Sequence, residues 1–378
     1  MNIIHRTSTE QILKDLEKKM VFIVGPRQVG KTFLAREVGK NFSEVTYLNY
    51  DDPDHRRVIK KREWSPTTEL LILDELHKMP MWKNFLKGIY DTKKKRLKIL
   101  VTGSARLETF RQSGDSLAGR FFTHHLLPFS VKELSKVKCE DTQERLIDRG
   151  GFPEAFLASS QADARRWREQ YIDGLIREDV LDFEKIYDFK AIKIVFELLR
   201  RKVGSPVAYS SIASDAGISP TTARKYIQIF EALFIIFAVT PYSKNVARSL
   251  LKKPKIYFFD TGLVIGDDGV KFENFVANSL LKDILGRSDY LGIPGELKYL
   301  RTKKGREVDF CVVEEYDDIR EIIEVKNANA SLDKNLEYFS TRYDLKAKQV
   351  VRHLGYNRQV SDKIQIVESE SFMKSLKY

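Results

Sequence analysis

Two cysteines, Cys139 and Cys311, in 378 residues are too few for a disulfide framework and show no metal-ligand spacing. Zinc is therefore not expected, and the scarcity suits a reducing cytoplasm. No apolar run approaches the roughly 20 residues that span a bilayer. The longest, residues 232–239, suits the buried end of a helix or a strand. The first ten residues hold His5 and Arg6 but no apolar signal core, so neither export nor membrane insertion is expected. Internal repeats and low-complexity segments are lacking too. Acidic side chains are the minority, 53 against 65 Lys and Arg, which leaves a net charge of +12. The basic excess gathers in Lys93-Lys94-Lys95-Arg96, Arg165-Arg166-Trp167-Arg168, Arg200-Arg201-Lys202 and Arg301-Thr302-Lys303-Lys304. Such clusters attract a polyanion, so DNA or an acidic protein is the expected macromolecular partner. What is present in quantity is apolar residue, 42%, enough to pack cores, and the length calls for two or three domains.

A short apolar run, Val21 to Val24, leads into Gly25-Pro26-Arg27-Gln28-Val29-Gly30-Lys31-Thr32. This is the complete G-x-x-x-x-G-K-[ST] phosphate loop at a strand-to-helix junction. Gly25 and Gly30 let the backbone curl so that its N–H groups face the phosphates. Lys31 sets a cation against the β- and γ-phosphates, and Thr32 offers a hydroxyl to Mg²⁺. The following helix adds the positive end of its dipole. A second apolar strand, 69–73, ends in Asp74-Glu75. Asp74 is placed to hold Mg²⁺ and Glu75 to polarise the attacking water. A third strand, 97–102, ends in Gly103-Ser104, where either Thr102 or Ser104 can sense the γ-phosphate. With strands near Val21, Val45, Leu71 and Ile99 and helices between, residues 1–149 read as an α/β domain with a parallel sheet. ATP and Mg²⁺ are the expected cofactors.

These motifs, in combination, resemble the AAA+ ATPases of archaea and bacteria. The run 73–82, Leu-Asp-Glu-Leu-His-Lys-Met-Pro-Met-Trp, resembles that family's second nucleotide motif. Further likeness lies in Val101-Thr102-Gly103-Ser104-Ala105, Ser116-Leu117-Ala118-Gly119-Arg120 and Leu127-Pro128-Phe129-Ser130. Gly150-Gly151-Phe152-Pro153-Glu154 and Phe258-Phe259-Asp260-Thr261-Gly262 are similar to the segments that follow in such proteins. The resemblance implies an ATPase with a C-terminal domain of uncharacterised function. It also implies Arg120 as an arginine finger, acting either in cis or across a homo-oligomer interface.

Downstream, Gly150-Gly151 and Pro153 punctuate the chain, and residues 150–262 read as a helical linker and a winged helix. Residues 192–199 form one amphipathic helix and 210–218 a short helix with a glycine turn. Ser219 caps the next helix and Pro220 opens it. That helix exposes Thr221, Thr222, Arg224, Lys225 and Gln228, to DNA or to a protein partner. In residues 263–378, Asp309 and Glu324 fall on two strands that can pair, and Lys326 shares a face with Glu324. Two carboxylates and a lysine suit metal-assisted phosphodiester cleavage. This segment resembles the PD-(D/E)xK nucleases, with Glu273, Asp309, Glu324 and Lys326 in matching order. It departs from them in lacking a proline before Asp309, and Glu296 competes as a further acid.

Three functions follow. The leading one is an ATP-hydrolysing switch that moves its C-terminal domains on DNA or a protein. The alternatives are an ATPase-gated Mg²⁺-dependent nuclease, or a regulator that binds nucleotide without turnover. A helicase, suggested by Asp74-Glu75-Leu76-His77, lacks a second motor domain in this sequence.

Overall fold

The computed structural model describes residues 4–94, 96–103, 117–135, 137, 141–179, 188–243, 253–315, 318–328 and 331–378. The chain divides into two compact units. One is Met1–Leu127 with Ala232–Phe234, and the other is Pro128–Glu231 with Ile235–Tyr378.

The first unit is built on a parallel sheet of β1 (Met20–Val24), β2 (Val45–Asn49), β3 (Leu70–Asp74), β4 (Lys98–Thr102) and β5 (Phe121–His125). Its order is β2-β3-β4-β1-β5. Strands β1 and β3 are buried at every position, as unbroken apolar runs with helices on both faces must be. The helices are α1 (Thr9–Leu16), α2 (Lys31–Gly39), α3 (Pro53–Lys61) and α4 (Trp82–Thr92). Asp52 caps α3 by accepting from the N–H groups of Asp54 and His55, and Pro53 supplies the preset first turn. On one face of the sheet Phe22 stacks on Phe121 at 4.5 Å and packs against Trp82. Because all strands point one way, Gly25, Asp74 and Gly103 leave the sheet at the same carboxyl edge. Pairing of Asn49 with Asp74, and of Asp74 with Thr102, aligns them there.

The second unit begins with helices α5 (Val131–Leu134), α6 (Thr142–Arg149), α7 (Pro153–Leu157) and α8 (Gln161–Gly174), the last closing in a π turn over Leu175–Asp179. Then come α9 (Phe189–Arg200), α10 (Tyr209–Ala216) and α11 (Pro220–Ala232). Ser219 accepts the Thr222 N–H at the head of α11, as its sequence position requires. A hairpin of β6 (Ile236–Pro241) and β7 (Lys255–Phe258) follows. After α12 (Asp268–Leu291) come β8 (Glu296–Arg301), β9 (Glu307–Glu314), β10 (Asp318–Lys326), α13 (Lys334–Tyr343), β11 (Ala347–Val351), β12 (Arg358–Gln359), β13 (Ile364–Glu368) and α14 (Ser369–Ser375). These strands form one mixed sheet, β12-β13-β11-β10-β9-β8-β6-β7.

The sequence places domain boundaries after residues 149 and 262. The compact units instead part after Leu127, and the sheet runs unbroken past 262 because β6 pairs in parallel with β8. Across 262 the Asn274 side chain accepts the Phe258 N–H at 2.8 Å and donates to the Phe258 carbonyl at 2.9 Å, and a buried arginine crosses the boundary after 149. Arg168 on α8 donates to Asp260 at 3.0 Å and to the Arg149 carbonyl at 2.9 Å. The helical segment and the last third of the chain therefore share one core.

Candidate nucleotide site and a carboxylate cluster

The glycine loop follows β1 with the strained backbone its composition allows. Gly25 has φ 149°, Gly30 φ 100°, and Gln28 between them is also left-handed. A Cβ on Gly25 would lie 2.2 Å from the Leu126 carbonyl oxygen, so no other residue fits there. Lys31, at the start of α2, is buried and donates to the carbonyls of Gly25 at 3.0 Å and Pro26 at 2.5 Å. The lysine is thus tied to the loop it serves.

Asp74 ends β3 beside this loop and is the hub of the site. Thr32 Oγ1 donates to its Oδ2 at 2.7 Å and Tyr47 Oη at 2.8 Å, while Thr102 Oγ1 donates to Oδ1. Three hydroxyls from three elements therefore hold one buried carboxylate. Burial, with Asp74 beside it, raises the Tyr47 phenol to about 12, so it stays a donor. A hydroxyl and a carboxylate 2.7 Å apart are hard oxygen donors, and these residues fit Mg²⁺.

Glu75 stands next, in a left-handed turn (φ 54°) pinned by its N–H to the Thr102 carbonyl. Burial raises its carboxyl above the usual range, with Lys31 and Lys78 acting in the other direction. His77 Nε2 lies 3.6 Å and Lys78 Nζ 3.8 Å from its Oε2. Thr102, one of two sensor candidates, is committed to Asp74, and Ser104 lies outside the described residues.

Arg120 is placed elsewhere. It directly precedes β5, and its carbonyl accepts the N–H of Met20 at the start of β1. The length of a five-residue strand, about 13 Å at 3.3 Å per step, separates that point from the glycine loop. Its guanidinium grips Asp91 through Nε at 2.8 Å and Nη2 at 3.2 Å. Action in cis on a nucleotide at the loop does not fit this position, because β1 and β5 run parallel and Arg120 sits at their amino end.

In the second unit, Glu273, Asp309, Glu324 and Lys326 come together as the sequence suggests. Lys326 Nζ lies 2.7 Å from Glu324 Oε1 and 3.0 Å from Asp333. Glu324 Oε2 accepts the Asp309 N–H at 3.3 Å, and Asp309 Oδ2 accepts the Val325 N–H at 3.0 Å. Tyr257 donates to Glu273 at 2.6 Å. Sequence reasoning missed Lys255, the first residue of β7. Its Nζ is 2.8 Å from Glu307, 3.5 Å from Glu273 and 3.6 Å from Asp309. Burial alone would lower the lysine's pKa, but the three carboxylates hold it above the ordinary value. Burial and Asp309 push Glu273 up to about 7 and Glu324 up to about 8. No local pattern marks Lys255, since only the β6–β7 hairpin carries it to the carboxylates.

The sequence expects a metal held by Asp309 and Glu324. In the structure lysine ammoniums stand against both carboxylates, Lys255 Nζ at 3.6 Å from Asp309 and Lys326 Nζ at 2.7 Å from Glu324. Among the described residues no group of three or more His, Cys, Asp or Glu is arranged to hold a metal ion. Nor is any described helix long and apolar enough to cross a membrane.

Comparison with known proteins agrees with the first unit's geometry. Residues 17–135 match the family model described as AAA domain. Residues 140–270 match "Domain of unknown function (DUF8612)" and 268–372 "Domain of unknown function (DUF4143)". An uncharacterized protein of Mycobacterium tuberculosis is 28% identical over 308 residues, covering 78% of this chain and 67% of that protein. Another, of Methanocaldococcus jannaschii, is 23% identical over 396 residues, covering 96% and 88%. Among solved structures, the Walker-type ATPase of Pyrococcus abyssi aligns with a TM-score of 0.46 at 14% identity, covering 69% of this chain and 95% of that one. The parallel sheet and glycine loop of the first unit thus lie within the residues that match the AAA domain.

Proposed function

We propose that this protein binds ATP with Mg²⁺ and hydrolyses it as an AAA-type switch. The observation that carries the reading is the triad of Thr32, Asp74 and Thr102, assembled beside Lys31 from three separate elements. Backbone N–H groups of residues 25–32, together with the amino end of α2, receive the phosphates. Lys31 faces the β- and γ-phosphates, and Thr32 and Asp74 are the residues that would hold Mg²⁺. Bound Mg²⁺ would neutralise charge developing on the phosphate oxygens. Glu75, its proton affinity raised by burial, accepts the proton of the attacking water. Arg120 belongs to this scheme only in trans, reaching the loop of a second copy. Ser104 stays a candidate sensor of the γ-phosphate.

The C-terminal unit is the part the switch acts through. The order helix, bridge, helix, helix, hairpin over α9 to β7, with Pro206 bridged to Lys255, supports a winged helix within 150–262. Exposed Thr221, Arg224, Lys225 and Gln228, with Thr222 beside them, support contact with DNA or an acidic protein. The order of β8, β9, β10, α13 and β11 supports a nuclease-like fold within 263–378. We take that fold as a binding platform.

Steady-state hydrolysis of ATP tests the reading, with Lys31→Ala and Glu75→Gln beside the wild type. Both variants should lose turnover by at least 100-fold, and Glu75→Gln should keep its affinity for ATP. Wild-type rates equal to those of both variants, with and without DNA, refute it and leave the regulator without turnover.

A further inference from the structure

We infer that Lys255 is a permanent internal counter-cation which closes the carboxylate cluster of the C-terminal unit to divalent metal. The ammonium has three N–H donors, and three carboxylates from two elements surround it: Glu307 and Asp309 of β9, and Glu273 of α12. Its side chain is 2% exposed, so it has no route by which to swing into water and yield its place. The backbone cannot release it either. Lys255 pairs with Val239 across the hairpin and bridges to Pro206, and its Nζ lies 5.5 Å from the centre of the Tyr299 ring.

Mg²⁺ demands oxygens at about 2.0–2.1 Å in a near-octahedral shell. A metal taking Asp309 Oδ1 and Glu273 Oε1 would lie against an ammonium only 3.5–3.6 Å from the same two atoms. The two cations repel in a low-dielectric site, and only one can stay. Asp309 Oδ2 and both oxygens of Glu324 are engaged elsewhere, by Val325, Asp309 and Lys326. The cluster therefore ties β7, β9 and α12 together by charge, and it supplies no metal for phosphodiester cleavage.

The test is calorimetric titration of the full chain with Mn²⁺ in the absence of nucleotide, so its outcome is independent of ATP turnover. Four proteins are compared: wild type, Asp309→Asn, Lys255→Ala and the Lys255→Ala/Asp309→Asn double variant. Wild type and Asp309→Asn should give superimposable isotherms. Lys255→Ala should gain one Mn²⁺ equivalent per chain, and the double variant should lose it. A wild-type Mn²⁺ equivalent that disappears in Asp309→Asn overturns the inference, as does a folded Lys255→Ala that gains none. Should Lys255→Ala not fold, Lys255→Gln keeps two donors on a side chain one atom shorter, without the charge, and is expected to gain the same site. The comparison of wild type with Asp309→Asn stands whether or not any Lys255 variant folds.

Discussion

Thr102→Val isolates the part of the nucleotide site that depends on sheet register. Valine matches threonine in shape, so the buried strand end keeps its packing and loses one hydroxyl. That hydroxyl donates to Asp74 Oδ1, and both residues are buried. A hydrogen bond to a charged group is worth about 1.5–3 kcal/mol. The lower end applies here because Thr32 and Tyr47 still hold the other oxygen. At about 1.4 kcal/mol per tenfold, the Mg²⁺ concentration giving half-maximal ATP hydrolysis should rise about tenfold. At saturating Mg²⁺ the rate should recover to within a few-fold of wild type, since Glu75 and Lys31 are untouched. The assay is phosphate release across a magnesium series at fixed ATP, with circular dichroism to check folding. An unchanged Mg²⁺ requirement in a folded Thr102→Val protein refutes the claim that Asp74 is oriented by these hydroxyls.

Arg168→Met should destabilise the second unit by about 3–5 kcal/mol, the cost of stranding a buried partner. Burial already raises the Asp260 carboxyl while Arg168 opposes the rise, so removing the arginine lifts it further. A folded-state value above the unfolded one means stability falls as pH rises through that interval, so the deficit should be larger at pH 8 than at pH 5. Urea midpoints at the two pH values measure it, and equal midpoints for variant and wild type count against it. For hydrolysis, Glu75 must be ionised to take a proton. Because burial raises its carboxyl, the rate should fall on the acid side at a higher pH than an ordinary glutamate would give. A rate that stays flat down to pH 4.5 rules this role out.

Contiguous features were legible in the sequence, and paired ones were not. The glycine loop is one unbroken stretch whose chemistry depends on neighbours in the chain, so Gly25 to Thr32 could be read directly. Asp74 and Glu75 were legible because a buried strand announces itself by its apolar run and acids follow its end. Ser219 and Pro220 marked the head of α11 for the same local reason. Tyr47 was missed as a donor to Asp74, since nothing in residues 45–49 encodes the pairing of β2 with β3. Lys255 was missed because the hairpin brings it to carboxylates up to 54 residues away in the chain. The continuity of the sheet past residue 262 was hidden too, because β6 joins the last sheet rather than a domain of its own.

Arg120 at the amino ends of β1 and β5, with the phosphate loop at the carboxyl ends, gives the first unit a front and a back. Copies that shared catalysis through these two surfaces would have to stack front to back. Where copies stack head to tail in this way the contacts are heterologous, and they close into rings or run on as filaments.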